Sequence, residues 1–197
     1  MRSFVALAAL VALPAAASTW EIDPNHTESS FVVKHLMVSN VRGQFGKTTG
    51  TILQDDKDIT KSKADITIDA TTIDTRVEKR DAHLKSADFF DVQKFPTITF
   101  KSTKMTKGDG PNTLKVTGDL TIHGVTKPVV VNVEYTPDTL ANGTTVKGIT
   151  ATTKVNRKDF GLNWNRTIEA GGVMVGDDVT ITVEGELHRK DAPTAAK

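Results

Sequence analysis

Five histidines, His26, His35, His83, His123 and His188, are the side chains of this 197-residue sequence with the widest chemical range. An imidazole can serve as general base, proton shuttle or metal ligand near neutral pH. Histidine metal sites announce themselves by close spacing, such as two ligands one helical turn apart, and none of the five is so placed. His26 follows Asp23-Pro24-Asn25, and His35 shares a strand with Phe31 and Val33; both read as hydrogen-bonded structural histidines. His123 and His188 read as exposed turn and end residues. His83, beside Arg80-Asp81, belongs to the one polar cluster that stands out, read as a helix surface or an anchor to a barrel rim. Ser29, Ser30 and Ser86 lack the Gly-x-Ser-x-Gly elbow of a hydrolase and read as strand or cap residues. The acids alternate outward or cluster in loops such as Asp55-Asp56, so no carboxylate pair is aimed into one cleft. Gly171-Gly172 and Gly176 do not lead into a helix as a phosphate-cradling loop does. With 0 cysteines there is no thiol nucleophile and no thiolate metal site. The polar residues therefore define no catalytic set, metal site or cofactor site.

The elements that carry these residues are strands. In Ala64-Asp65-Ile66-Thr67-Ile68-Asp69-Ala70 the isoleucines fall on one face and the aspartates on the other, the period-two signature of a half-buried strand. The same alternation runs through Ile98, Phe100 and Ser102; Leu114 to Ile122; Val129 to Tyr135; and Val179, Ile181, Val183 and Leu187. Phe31 to Val38 is more mixed, as in a strand covered on both sides. Turn chemistry at Asp55-Asp56-Lys57, Gly108 to Asn112, His123-Gly124, Asn142-Gly143 and Gly176-Asp177-Asp178 separates the runs, and Asn-Gly is the strongest short hairpin signal. One segment breaks the period. Thr75-Arg76-Val77-Glu78 reads as a capping box opening a helix that runs on through Ser86, with Asp81 and Lys85 placed as an i,i+4 pair. Phe95-Pro96 then forces extended backbone before the next strand. This pattern predicts an all-β fold of short antiparallel strands, closed into a barrel or paired as a sandwich, with one short inserted α-helix.

Length and charge bound the rest. The chain suits one domain, and a net charge of +1 from 25 basic and 24 acidic residues leaves no footprint for nucleic acid. Arg2, the apolar run Phe4 to Leu13, Pro14 and Ala15-Ala16-Ala17 form a signal-peptide pattern. The expected division is a leader over residues 1–17, a barrel over 18–190 and a frayed Ala/Pro/Lys-rich tail over 191–197. No later run is long enough for stable membrane insertion. A small closed barrel either fills with its own side chains or holds an apolar ligand, and periodicity leaves both open. The expected inward residues are Phe31, Val33, Ile66, Ile68, Phe100, Leu120, Ile122, Val131, Val133, Phe160 and Ile181.

Longer motifs resemble a known family. Trp20-x-Ile22-Asp23-x-x-His26-Thr27, Phe31-x-Val33-Lys34-His35-Leu36 and Val41-x-Gly43-x-Phe45 are similar to the opening of YceI-like proteins. The similarity continues through Arg80-Asp81-x-His83-Leu84-Lys85-Ser86-x-Asp88-Phe89-Phe90-Asp91, Phe95-Pro96-x-Ile98-x-Phe100 and Gly118-x-Leu120-Thr121-Ile122-x-Gly124. It ends with Arg157-x-Asp159-Phe160-Gly161 and Val175-Gly176-Asp177-x-Val179, so nearly the whole chain after the leader is covered in one order. The resemblance implies an extended lipocalin-like antiparallel barrel of about eight strands in a periplasmic or secreted protein, often a homodimer. It implies a binder of a polyisoprenoid or isoprenoid-quinone type lipid rather than an enzyme, with no cofactor. It also implies roles for His35, His83 and Arg80 as rim or headgroup contacts beside the apolar lining. Two other functions stay open at this point: a packed-core stress-response or interaction protein without ligand, and an enzyme acting on a lipid through His26, His35 or His83.

Overall fold

The computed structural model describes residues 17–167 and 172–190. The expected leader, but for Ala17, and the expected tail lie outside the described residues. Among the described residues twelve strands follow one another: β1 (Ala17–Ile22), β2 (Glu28–His35), β3 (Ser39–Phe45), β4 (Thr48–Asp55), β5 (Lys63–Asp69), β6 (Ile73–Asp74), β7 (Thr97–Lys107), β8 (Thr113–Ile122), β9 (Val125–Tyr135), β10 (Thr139–Ala141), β11 (Thr144–Asn156) and β12 (Val175–Lys190). One α-helix, α1 (Glu78–Lys85), interrupts them between β6 and β7.

Eight of these strands close a ring in the order β1-β4-β5-β7-β8-β9-β11-β12, and every neighbouring pair is antiparallel. The fold is thus a closed barrel rather than a sandwich. Closure hangs on the length of β12. Its last residues pair with β1, as in Leu187 with Ile22, and its earlier ones pair with β2 on the same edge, as in Ile181 with Phe31. β1 and β2 therefore lie end to end along β12, separated by the turn that holds Asp23 and His26. Along its other edge β12 pairs with β11 from Val146–His188 to Asn156–Asp178, which seals the ring.

Local sequence explains most of this. Leu114, Val116, Leu120 and Ile122 of β8 are buried at every second position, as alternation predicts. The hairpins at His123-Gly124 and Asn142-Gly143 have positive φ at both central residues (51° and 74°; 49° and 81°), the type I′ geometry that matches strand twist. Two glycines make room for aromatic rings. A Cβ on Gly43 would lie 2.4 Å from Phe31 Cζ, and one on Gly118 would lie 2.4 Å from Phe100 Cζ.

Three local expectations are corrected. Gly176-Asp177-Asp178 is no hairpin turn: it lies inside β12, where the pairing with β2 slips between Val175 and Val179. The extra residues form a bulge, which bends a barrel strand without ending it. Phe31 to Val38 is not one continuous strand, since β2 stops at His35 and Leu36 and Met37 turn with φ of 50° and 62°. The capping box at Thr75 is absent. Val77 occupies the N-cap without a side-chain bond, because Arg76 has φ 65° and swings Thr75 away from the helix start. Asp81 does not reach forward to Lys85. It reaches back, accepting the Thr75 N–H at 2.8 Å and the Thr75 hydroxyl at 2.5 Å. Arg80 completes the clamp, donating from Nε to Thr75 Oγ1 and from Nη2 to the Thr75 carbonyl, each at 2.7 Å.

Candidate functional site

The inward faces of the barrel strands do not meet. They enclose a cavity of about 260 Å³, far above the ~10–15 Å³ that one water needs. Its lining is aliphatic and aromatic except for a few polar side chains, among them Gln54, Ser62, Thr153, Tyr135, Lys147 and Arg157. Period-two alternation builds this surface. Along β11, Lys147, Ile149, Ala151, Thr153 and Val155 face inward in succession, and Arg157 continues the row just past the strand. Lys147 and Arg157 are therefore roughly 30 Å apart along the chain at ~3.3 Å per strand residue.

Near Arg157 the cavity is closed by α1 and the segment after it. Leu84, Phe89 and Phe90 line it there with Phe45 and Leu162. Phe45 meets Phe90 edge-on at 5.9 Å between ring centres, a favoured aromatic geometry. Arg157 is almost wholly buried, and its guanidinium is consumed by backbone. Nε donates to the Gly176 carbonyl, Nη1 to those of Leu162 and Trp164, and Nη2 to that of Val175 and to Asp177 Oδ1. Burial pulls its pKa below the usual guanidinium range, and Asp177 pushes back. This residue pins three segments together and has no donor left for a ligand.

The other end is built from β4, β9, β11 and the 3-10 turn Ile59–Lys61. Lys147, with a side chain 6% exposed, donates to Gln54 Oε1 at 2.8 Å and pairs with Asp138 at 2.9 Å. Its Nζ lies 3.9 Å from the centre of the Trp20 ring, within cation–π range. Ser62 and Tyr135 line the cavity beside it.

Among the residues expected to face inward, Phe31, Val33, Ile66, Ile68, Phe100, Leu120, Ile122, Val131, Val133 and Ile181 all line the cavity. Phe160 does not: it is 1% exposed but packs in the wall of the helix-side core, carried there by the 3-10 turn Arg157–Phe160. His35, Arg80 and His83 are not brought to the cavity either. His35 ends β2 at the bulge, and Arg80 is held by Thr75. His83 bonds Asp88 at 3.0 Å and stands edge-on to Phe89 and Trp164, outside the lining. Lys147, Gln54 and Ser62 were missed by sequence reading. For Lys147 the signal existed, a lysine at an inward position of Lys147-x-Ile149-x-Ala151, but a single lysine in a strand is ordinarily a solvated one.

The histidine-bearing turn gathers differently from its spacing in sequence. Because Leu187 points inward, Glu186 and His188 both point outward, and Asp23 lies beside them across the β1–β12 pairing. His188 Nε2 is 3.5 Å from Asp23 Oδ2 and 3.6 Å from Glu186 Oε2, while His26 Nδ1 bonds the same Asp23 oxygen at 2.6 Å. His26, expected to be a hydrogen-bonded histidine, thus shares one carboxylate on the outer wall with His188, which was expected only as an exposed end residue. Asp23 is held below the usual carboxylate range by the bonds from His26 and from the Asn25 N–H, and His26 is raised by its bond to Asp23. No serine hydroxyl bonds an imidazole among the described residues, and no helix there is long and apolar enough to cross a membrane.

Comparison with known proteins agrees with this architecture. The family model described as YceI-like domain matches residues 20–187. A UPF0312 protein of Staphylococcus aureus strain N315 is 37% identical over 172 residues, covering 86% of this chain and 97% of that protein. The Campylobacter jejuni YCEI protein is similar in structure with a TM-score of 0.68 and 32% identity, over 80% of this chain and 90% of that one. A polyisoprenoid binding domain from Saccharophagus degradans shares the fold at a TM-score of 0.63 with 14% identity, over 87% of this chain and 98% of that one. On the match over residues 20–187 and the barrel it encodes, the chain belongs to the YceI-like family.

Proposed function

We propose that this protein binds a long-chain apolar amphiphile of the polyisoprenoid or isoprenoid-quinone type inside its barrel, and carries or stores it in the periplasm without chemically changing it. The single observation that carries the reading is the long apolar cavity within a closed ring of strands. Binding there scales with buried area at about 25 cal/mol per Å², which favours a long flexible hydrocarbon over a compact polar substrate. The Saccharophagus degradans domain of the same fold, a polyisoprenoid binder, supports the same class of ligand. A packed scaffold would leave no such space, and the lining favours a binder over a lipid-directed enzyme in that none of His26, His35 and His83 belongs to it. The export pattern of the first residues supports a periplasmic setting.

The test is direct. Protein isolated from a Gram-negative host's periplasmic fraction is examined by native mass spectrometry, then extracted with organic solvent. The expected result is a chain beginning near Ser18 that carries one long-chain lipid, released on extraction. A protein that stays in the cytoplasm, or that repeatedly arrives empty and takes up no added lipid, overturns the proposal.

A further inference from the structure

The two buried cations at the ends of the cavity differ in what they can still do. Arg157 has given every direction of its guanidinium to backbone carbonyls and Asp177. Lys147 carries three N–H donors, of which two go to Gln54 Oε1 and Asp138 Oδ1. The rings of Trp20 and Tyr135, with centres 3.9 and 5.9 Å from Nζ, stand near the remainder, and neither offers it an oxygen or nitrogen acceptor within hydrogen-bond reach. Ser62 accepts the Asp55 N–H at 3.0 Å, a bond that leaves its own hydroxyl proton unused, and it too lines this end. The helix-side end offers a ligand aromatic and aliphatic surface, whereas the Lys147 end offers hydrogen-bond donors in apolar surroundings.

From this asymmetry, and resting on the binding reading above, we propose that Lys147 is the headgroup-selecting residue: it takes an uncharged oxygen acceptor, a hydroxyl or carbonyl, with the ligand's tail running toward α1. The charge balance decides between neutral and anionic heads. The positive charge of Lys147 is already matched by Asp138 at 2.9 Å. A phosphate at the same place would face that carboxylate and lose by repulsion what it gained from the ammonium. A hydroxyl or carbonyl oxygen meets no such opposition and competes only with the aromatic contacts to Trp20 and Tyr135.

Three chain-matched probes test this: a polyprenol, its monophosphate and the corresponding polyisoprene hydrocarbon, each titrated in detergent against the delipidated full chain. The wild-type protein is expected to bind the polyprenol about tenfold or more tighter than the hydrocarbon, with no gain for the phosphate. Lys147→Met should abolish that preference while hydrocarbon affinity stays within about threefold. Asp138→Asn, at a half-exposed position outside the lining, should leave Lys147 in place and turn the preference toward the phosphate. An unchanged polyprenol-to-hydrocarbon ratio in Lys147→Met overturns the inference, as does a wild-type protein that prefers the phosphate. If all three probes fail to bind the wild-type chain, the cavity reading itself falls; if the hydrocarbon binds as well as the polyprenol, only the headgroup assignment does.

Discussion

Arg157 shows how one side chain can hold a barrel end together. It donates to the carbonyls of Leu162, Trp164, Val175 and Gly176 at once, and of these Val175 also accepts from the Asn165 side-chain amide at 2.8 Å. Arg157→Met should cost roughly 3–5 kcal/mol, the usual penalty for removing one partner of a buried charged network, measurable by urea unfolding. Asp23 gives a subtler prediction. Its carboxyl is lowered from 3.8 by the His26 bond, so its contribution is present above pH 3.8 and fades as pH falls through its folded pKa. His26 is raised from 6.5, so its contribution is full below pH 6.5 and fades as pH rises through its folded pKa. The Tm difference between wild type and Asp23→Asn is therefore expected to be largest between these two values and to shrink on either side. A difference flat across pH would contradict the pairing. At this scale the sequence is least legible. Asp23 is far from Glu186 and His188 in the chain and meets them only because β1 pairs with the end of β12, and no spacing rule records that register.

Single elements are more transparent, because their patterns are local. The alternation of β5, β8, β9 and β12 is written in their residues, and the inward set read from it lines the cavity almost without exception. The helix was legible in existence but not in attachment. Its end is fixed by Asp81 and Arg80 folding back on Thr75, a contact that depends on the positive φ of Arg76. With no buried residue of its own and no side-chain bond at its N-cap, α1 relies on that clamp at its N-terminal end. Asp81→Asn should speed amide hydrogen exchange across Glu78–Lys85 by about tenfold, a loss of about 1.4 kcal/mol in local opening, while the barrel strands exchange as before. Gly118→Ala should destabilise the whole barrel by roughly 1–3 kcal/mol, since a Cβ there strikes Phe100 and the Lys101 carbonyl, at 2.4 and 2.5 Å. The bulge at Gly176 to Asp178 resembled a turn because glycine and aspartate serve both. Only the pairing with β2 on one side and β11 on the other distinguishes them.

The molecule as a whole is a ring of eight strands that closes before its interior is full. Whether a small barrel packs solid or stays hollow depends on how side chains of middling size sum around the ring, which alternation cannot count. The cavity is thus a property of closure, and it is what separates the proposed binding role from a packed scaffold. Filling it offers the decisive check. Ile181 faces the cavity at mid-strand in β12, paired with Phe31 on one side and Thr153 on the other. A tryptophan there enters open space instead of overpacking a core, so Ile181→Trp should keep the wild-type Tm within a few degrees. Native mass spectrometry of wild type and Ile181→Trp, each offered the same long-chain polyprenol, should then show one lipid on the wild type and at least about tenfold less occupancy on the variant. Equal occupancy of both, or none on the wild type, would contradict a ligand held inside the barrel.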